Sequence, residues 1–449
     1  MQHPLVTDLA FRLPNPRKDS RLRQHDYPKS RQRNRLASLR HPPPRPDLAL
    51  RLVHLSDLHL GFRQYQRLTP RGINQREADV AQSFKRALDK TIALAPDVVL
   101  VGGDVFHHVR PTNTAIVYAY QQFARLRAAL PNAEIVMIAG NHDTPRSSET
   151  GSILRLFVLL GVHVIDAEPQ ALDFPRLDLT ILGVAHNQYP RPQLKPSGSS
   201  RFNVLLLHRS VEGEYGGFGG PPAMVAEEIP EEDLHVAEWD YVALGHYHVY
   251  KSPTRRPNAF YSGATDYTSS NVWGEKAEEK ELGVPGKGII ERDLATGKHV
   301  FHALPASREF IDLQAISARG LTTEELNEAI GDAVDSTPGS IDDKVVRLVV
   351  YDVPRHVARQ LDHRRLREFR RRAFHFQLDT HRPETIRRVG SGAPGRRAAL
   401  AELVRDKLRE RLIPPDVDRE ALVELGVKYL RDAEERERAS ARPALRLDE

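Results

Sequence analysis

Residues 50–61 read LRLVHLSDLHLG, an apolar run that passes directly into an aspartate and a histidine. Four more apolar, largely β-branched runs follow along the chain, and polar residues follow each of them. Helical patterns separate the earlier runs. This alternation of strand and helix patterns predicts an α/β fold. The runs are Leu50–Leu55, Val98–Val101, Ile135–Ile138, Val204–Leu207 and Tyr241–Leu244, and the helical patterns are Asn74–Ala95, Thr112–Leu130 and Ser148–Leu160.

Between residues 161 and 183 the helical patterns stop, and short apolar runs at 162–165 and 177–182 take their place. These runs predict a second sheet that packs on the first. After about residue 305 the pattern restarts as a smaller unit. Strand patterns at 310–313, 344–351 and 374–378 alternate there with helical patterns at 323–335 and 357–372, which predicts a βαβαβ domain.

A glycine-rich stretch at 390–395 leads to two amphipathic helices that Pro414 and Pro415 separate. Two helices on a linker cannot bury both apolar faces alone, so we expect them to dock on a partner. Packing back on the body of the chain is the alternative interpretation.

The composition excludes several classes of protein. The chain has no cysteine, so disulfides, thiolate zinc sites and iron–sulfur clusters are impossible, and any metal must be held by histidine, carboxylate or amide groups. No apolar run is long enough to cross a membrane, because the closest, 153–165, contains Arg155 and His163. We therefore expect a soluble, cytoplasmic protein.

The basic charge is concentrated at the start of the chain. The first 50 residues carry 11 Lys and Arg against 4 Asp, whereas the whole chain has a net charge of only +5. This segment also holds 8 of the 32 prolines and shows no periodicity, so we expect residues 1–47 to be a disordered basic arm. A nucleic-acid-binding tail, a solvated extension and a start codon placed too early are the alternatives; a cleaved targeting peptide is disfavoured, because the segment has no apolar core region and is interrupted by prolines.

Each of the five apolar runs ends in side chains that can bind metal ions. Such side chains gather at the carboxyl ends of the strands in an open α/β sheet, so the separate clusters predict one site. They suffice for two cations if one carboxylate bridges them, and Asp104, from a central run, is the expected bridge. Nitrogen and oxygen ligands without sulfur favour manganese, iron or zinc over calcium or magnesium. The clusters are Ser56-Asp57-Leu58-His59, Gly103-Asp104-Val105-Phe106-His107, Gly140-Asn141-His142-Asp143, Leu207-His208 and Gly245-His246-Tyr247-His248.

The order of these motifs resembles that of the calcineurin-like metallophosphoesterases, and within them the SbcD-type DNA double-strand-break repair nucleases. The resemblance implies a two-sheet metallophosphoesterase sandwich flanked by helices, at 48–305. A capping domain would follow at 306–388, a linker at 389–396, a helix pair that binds the partner at 397–440 and a tail at 441–449. The implied function is a manganese-dependent DNA exonuclease and endonuclease. The implied partners are an SbcC-type, SMC-like ATPase and a second copy of the chain.

The resemblance also assigns roles to single residues. A hydroxide that bridges the two metals would attack the phosphodiester. His142 would protonate the leaving 3′ oxygen, and His107 would orient His142 or the phosphate. Asp143 would orient a histidine. One metal would be held by Asp57, His59, Asp104 and His248, and the other by Asp104, Asn141, His208 and His246.

Two other functions share these features. Another metal-dependent phosphodiesterase of the same fold would need the same ligands, and a scaffold subunit could retain a vestigial site. The scaffold is disfavoured because every expected ligand is present. DNA contact is weakly encoded: the arginine-rich pattern at 355–372, including Arg364, Arg367 and Arg371, could follow phosphates or could be a solvated helix face.

Overall fold

In the computed structural model, the described residues are 49–145, 151–186, 193–196, 200–212, 228–254, 256–383, 400–411 and 418–440. The chain divides into two compact units, with the boundary after Ile311 and with Asp343–Val345 belonging to the first unit. The predictions for the N-terminal arm at 1–47, the linker at 389–396 and the tail at 441–449 lie outside the described residues.

The first unit contains two sheets. The first sheet consists of β1 (Arg51–Leu55), β2 (Val98–Val101), β3 (Glu134–Ile138), β4 (His163–Ile165), β10 (Gly288–Asp293) and β11 (His299–Ala303). The second consists of β5 (Gln170–Phe174), β6 (Leu179–Val184), β7 (Phe202–His208), β8 (Tyr241–Gly245) and β9 (Ala259–Tyr261). Their strand orders are β11-β10-β1-β2-β3-β4 and β5-β6-β7-β8-β9. The strands β1 to β4 are parallel to one another, as are β6 to β9.

The predicted two-sheet sandwich is confirmed, because successive residues of each central strand enter different cores. In β2, Val99 and Val101 pack with helical residues such as Phe84 and Phe123. The alternate residues of β2 belong to a second core, which includes residues of both sheets. The first sheet is thus covered by helices on one face and by the second sheet on the other, which explains its continuous apolar runs.

Three helices accompany the sheets: α1 (Gln75–Leu94), α2 (Asn113–Ala129) and α3 (Val272–Glu281). The helices α1 and α2 begin one residue after the predicted starts, because the side chains of Asn74 and Thr112 act as N-caps. The third predicted helix, at 148–160, is a 3-10 helix over Ile153–Leu160 that the Ser152 side chain caps. Shorter 3-10 helices span Glu231–Leu234 and Val236–Glu238.

A buried ion network ties α1 to the segment that follows β9. The guanidinium of Arg76 is fully buried and contacts Asp79 at 3.1 Å and Asp266 at 2.8 Å. Arg308 also contacts Asp79, at 2.8 Å. Each buried carboxylate thus has a cationic partner, which offsets the cost of removing it from water.

Most residues of a small sheet belong to the second unit, and β14 (Val345–Tyr351) is at the centre of this sheet. Its other strands are β12 (Phe310–Asp312), β13 (Ile316–Ser317) and β15 (His375–Thr380), and its helices are α4 (Thr323–Asp335), α5 (Arg355–Gln360) and α6 (His363–Arg372). The single helix predicted at 357–372 is wrong. Leu361 leaves the helical conformation, and the Asp362 side chain accepts from the amides of Arg364 and Arg365 to start α6.

The last described elements are α7 (Leu400–Glu410) and α8 (Arg419–Ser440). They pack on each other: Val423 and Val427 are buried, and a Cβ at Gly426 would lie 2.5 Å from a methyl of Leu408. The Arg419 guanidinium, at the start of α8, donates to the carbonyl oxygens of Arg409 and Arg411, at the end of α7. In the described part of the chain, no helix has the length and apolar character that a membrane span requires.

Candidate metal centre

The ligand motifs all begin where a strand ends, but the strands belong to two sheets. From the first sheet, β1 leads to Asp57 and His59, and β2 and β3 lead to Asp104 and Asn141. From the second sheet, β7 ends at His208, and β8 leads to His246 and His248. The seven side chains therefore meet where the carboxyl ends of the two sheets adjoin.

The loops after β1 and β2 hold each other in an unusual backbone conformation. Asp57, His59 and Asp104 have φ of 55°, 45° and 51°, and His246 has φ of 93°. Such left-handed conformations cost about 1–3 kcal/mol each for side chains of this kind. Backbone hydrogen bonds support them, from Asp57 N to Gly103 O at 3.0 Å and from His59 N to Asp104 O at 2.9 Å. Four of the candidate ligands thus have a strained backbone conformation.

The side chains form two groups of possible metal ligands, with Asp104 between them. Asp104 Oδ2 lies 3.7 Å from His59 Nε2 and 3.4 Å from His208 Nε2. Asn141 Oδ1 lies 3.1 Å from His208 Nε2 and 2.9 Å from His246 Nδ1. The groups are Asp57, His59 and His248, and Asp104, His208 and His246, each with its ligand atoms within 4.8 Å of one another; His59 also forms a third such group with His107 and His142.

The donor atoms fit a pair of divalent cations. The Nε2 atoms of His59 and His248 face each other at 3.1 Å. When both rings are neutral, the two nitrogens present lone pairs to the same place, which suits a cation. His208 Nδ1 donates to the carbonyl of Gly102 at 2.6 Å, so Nε2, which lies 3.4 Å from Asp104 Oδ2, is the ring nitrogen that could bind a cation after it loses its proton.

Burial and mutual charge set the protonation of the ligands. Burial raises the pKa of Asp57. Burial acts in the same direction on Asp104, but the charge and hydrogen bond of His208, with His59, hold the pKa of Asp104 well below its ordinary value. Burial lowers the pKa of His59 and His246 well below 6.5, so both are neutral near pH 7. Burial also acts to lower the pKa of His208 and His248, but Asp104 raises the pKa of His208 to about 9 and Glu275 raises that of His248.

His142 lies at the edge of these groups and is oriented by its neighbours. Its backbone amide donates to Asp104 Oδ1 at 2.8 Å, and its Nδ1 donates to the carbonyl of His107 at 2.7 Å. The His107 ring stacks on the His142 ring at 5.1 Å. His107 Nδ1 also lies 3.3 Å from His59 Nδ1. Nε2, the other ring nitrogen of His142, is therefore the one that can exchange a proton with another molecule.

Comparison with known proteins places this domain in a family. A model of the calcineurin-like phosphoesterases matches residues 50–250. These residues form a calcineurin-like phosphoesterase domain. The resemblance noted from the motifs is confirmed for this part of the chain.

The phosphoesterase domain also has individual relatives among archaeal proteins. The chain is 30% identical to the DNA double-strand break repair protein Mre11 of Methanocaldococcus jannaschii, over 54% of this chain and 62% of that protein. The proteins of the same name from Methanococcus maripaludis and Thermoplasma acidophilum are 29% and 28% identical, over 55% of this chain and 63% and 62% of theirs. The similarity thus spans a little less than two thirds of each relative.

Asp143 of the phosphoesterase domain differs from expectation. Its carboxylate does not orient a histidine; it accepts from the backbone amides of Val105 and Phe106, both at 3.0 Å, and of Gly140 at 3.2 Å. Burial and the charge of Asp104 raise the pKa of Asp143 to about 7, against these hydrogen bonds. Asp143 therefore joins the loops after β2 and β3, which carry two of the ligands.

Two residues near the candidate ligands, His186 and Glu275, were not predicted from the sequence. The ring of His186 stacks on that of His246 at 6.0 Å, and burial lowers the pKa of His186 to about 4. Its position just after β6 could have indicated it. Glu275 Oε1 lies 3.2 Å from His248 Nδ1. No strand-end pattern indicates Glu275, because it lies in the first turn of α3.

The three arginines singled out for DNA contact lie in the second unit, on α6. Arg364, Arg367 and Arg371 are exposed and occupy one helical face, at positions three and four residues apart. Leu366 and Phe369 of the same helix are buried.

Proposed function

We propose that the chain is a two-metal phosphodiesterase that cleaves DNA during double-strand-break repair, with Mn²⁺ as its metal. The observation that carries this proposal is the convergence of seven nitrogen and oxygen ligands into two groups around Asp104. The relatives that are named as DNA double-strand break repair proteins support DNA as the substrate.

The ligands divide between the two cations as their contacts suggest. Asp57, His59 and His248 would hold one cation, and Asn141, His208 and His246 the other, with the Asp104 carboxylate shared. When bound, the two cations supply an activated water and neutralise the negative charge that develops on the phosphoryl oxygens.

His142 is the proton donor in this proposal. Its Nδ1–H is committed to the carbonyl of His107, and Asp104 holds its backbone amide. Protonated Nε2 can therefore deliver a proton to the leaving 3′ oxygen without movement of the ring. Proton transfer of this kind contributes about 10²–10⁴ to the rate. His107 acts by positioning His142, through its carbonyl and through ring stacking.

The test uses the full chain, Mn²⁺, bis-p-nitrophenyl phosphate and linear duplex DNA. We expect metal-dependent cleavage of both, and a chelator should abolish both. Hydrolysis of the small diester without cleavage of any DNA, even with a partner ATPase present, would refute DNA as the substrate and favour another phosphodiesterase. Closed circular single-stranded DNA, compared with the linear duplex, separates endonuclease from exonuclease activity.

Two exposed surfaces support the expected partners. In the first unit, Val117 of α2 is 54% exposed, and Leu159 of the 3-10 helix is 76% exposed. The guanidinium of Arg127 in α2 donates to the carbonyl of Leu160, so the two elements adjoin. If these side chains belong to one contiguous apolar patch, the patch would suit a homodimer interface. In α8, Tyr429 is 66% exposed, which leaves apolar surface for an SbcC-type ATPase.

A further inference from the structure

A buried charged network lies behind the metal ligand His248. Glu275 Oε1 is 3.2 Å from His248 Nδ1, and that ring presents its other nitrogen, Nε2, to His59 and Asp57. The Glu275 side chain is only 10% exposed. A carboxylate therefore contacts the side of the imidazole that faces away from the candidate cations.

Lys287 holds this carboxylate in place. Its side chain is 1% exposed, and Nζ lies 2.6 Å from Glu275 Oε2 and 3.0 Å from Glu279 Oε1. The same Nζ donates to the backbone carbonyl of His248 at 2.8 Å. One ammonium group therefore connects the carboxylate that faces the ring to the backbone that carries the ring. The orientation of the His248 imidazole is therefore defined both by the carboxylate beside its Nδ1 and by the hydrogen bond to its backbone carbonyl.

The network carries more negative than positive charge. Two carboxylates, Glu275 and Glu279, surround the single ammonium of Lys287, and the hydroxyl of Tyr267 donates to Glu279 Oε2 at 2.7 Å. An excess negative charge beside Nδ1 favours a proton on that atom and a lone pair on Nε2. Carboxylate partners of this kind fix the tautomer of ligating histidines and increase their basicity.

We propose that Glu275 is a positioning residue that orients His248 for one of the two cations, with Lys287 as its anchor. The inference rests on the proposed metal centre and deepens it. Glu275 does not touch the candidate cations or the substrate; it acts through the ring of His248. Loss of such a partner weakens metal binding by about 10- to 100-fold.

The test is a titration of the full chain with Mn²⁺, in which calorimetry and electron paramagnetic resonance monitor metal binding. In Glu275→Gln the shape of the side chain is kept, while the charge beside His248 is removed. We expect the affinity for one cation to fall about 10- to 100-fold and the affinity for the other to stay unchanged. At stoichiometric metal, the signal of the spin-coupled ion pair should give way to that of isolated Mn²⁺.

Glu278→Gln is the matched control. Glu278 lies on the same helix and contacts Tyr247 at 2.7 Å and Lys251 at 2.8 Å, so its removal also breaks an ion pair. It should leave both affinities unchanged. If Glu275→Gln fails to fold, Glu275→Asp, which keeps the charge but withdraws it, should show the same selective loss.

Two results would overturn the inference: unchanged affinities in Glu275→Gln, or equal weakening at both positions with a lower melting temperature, which would show a general structural role. If the unmodified chain binds no Mn²⁺, the proposed function itself fails, and the two failures are thereby distinguished.

Discussion

Replacement of His142 by alanine separates proton donation from metal binding. The backbone amide of residue 142, which donates to Asp104, remains in the variant, and the proposed function assigns the side chain to proton donation and not to metal binding. Bound Mn²⁺ should therefore be unchanged. What disappears is the Nε2 proton donor, which is worth about 10²–10⁴ in rate, or about 3–5 kcal/mol of transition-state stabilisation.

The assay compares two leaving groups. Cleavage of DNA expels an alkoxide that needs a proton, whereas nitrophenolate leaves readily without one. His142→Ala should therefore reduce the turnover of DNA by the full factor and the turnover of bis-p-nitrophenyl phosphate by much less. Equal losses with both substrates would refute the role as proton donor, and a loss of bound metal would show that His142 is a ligand.

Three further predictions concern other parts of the molecule. Asp104→Asn should abolish activity and weaken both cations in a Mn²⁺ titration, because Asp104 adjoins both ligand groups; loss at one position only would contradict a bridge. Replacement of Arg364, Arg367 and Arg371 by Gln should reduce the slope of the logarithm of DNA affinity against the logarithm of salt concentration. The expected reduction is about 0.9 for each phosphate that is no longer neutralised. An unchanged slope would indicate that the three arginines form a solvated helix face. Asp79→Ala should lower the free energy of unfolding by about 1–3 kcal/mol in chemical denaturation, because Arg308 loses its buried carboxylate partner and keeps the exposed Asp343. Burial acts to raise the pKa of Asp79, but Arg308, with Gln75 and Arg76, lowers it below its ordinary value. The stability that Asp79 contributes is therefore fully present above its ordinary pKa and is lost as the pH falls through the lowered value. A variant whose stability has the same acid dependence as the parent would contradict this.

Much of the first unit was predictable because its signals are local. The five apolar runs became β1, β2, β3, β7 and β8, and Asn74 and Thr112 were found at the helix starts where capping side chains belong. The error at 357–372 was also local in origin. Hydrophobic periodicity continues through Leu361, whereas the Asp362 cap interrupts the helix there.

The roles of single acidic residues were not predictable in the same way. Asp143 follows a ligand motif and was expected to orient a histidine, yet it binds three backbone amides from two loops. Glu275 reaches His248 across 27 positions of sequence, in a helix whose pattern shows nothing of that contact. Both roles depend on which loops and helices adjoin in space.

The sequence by itself determined which donor atoms are available. Without cysteine, and with histidine, aspartate or asparagine after five of its strands, it predicted nitrogen and oxygen ligands for metal ions. The tertiary structure decided which of these candidate ligands lie together. His208, His246 and His248 follow strands of the second sheet, and only the packing of the two sheets brings them to Asp57, His59, Asp104 and Asn141. The physical reason is that strand periodicity records which residues are buried, whereas the choice of neighbouring strand depends on contacts between residues far apart in the chain.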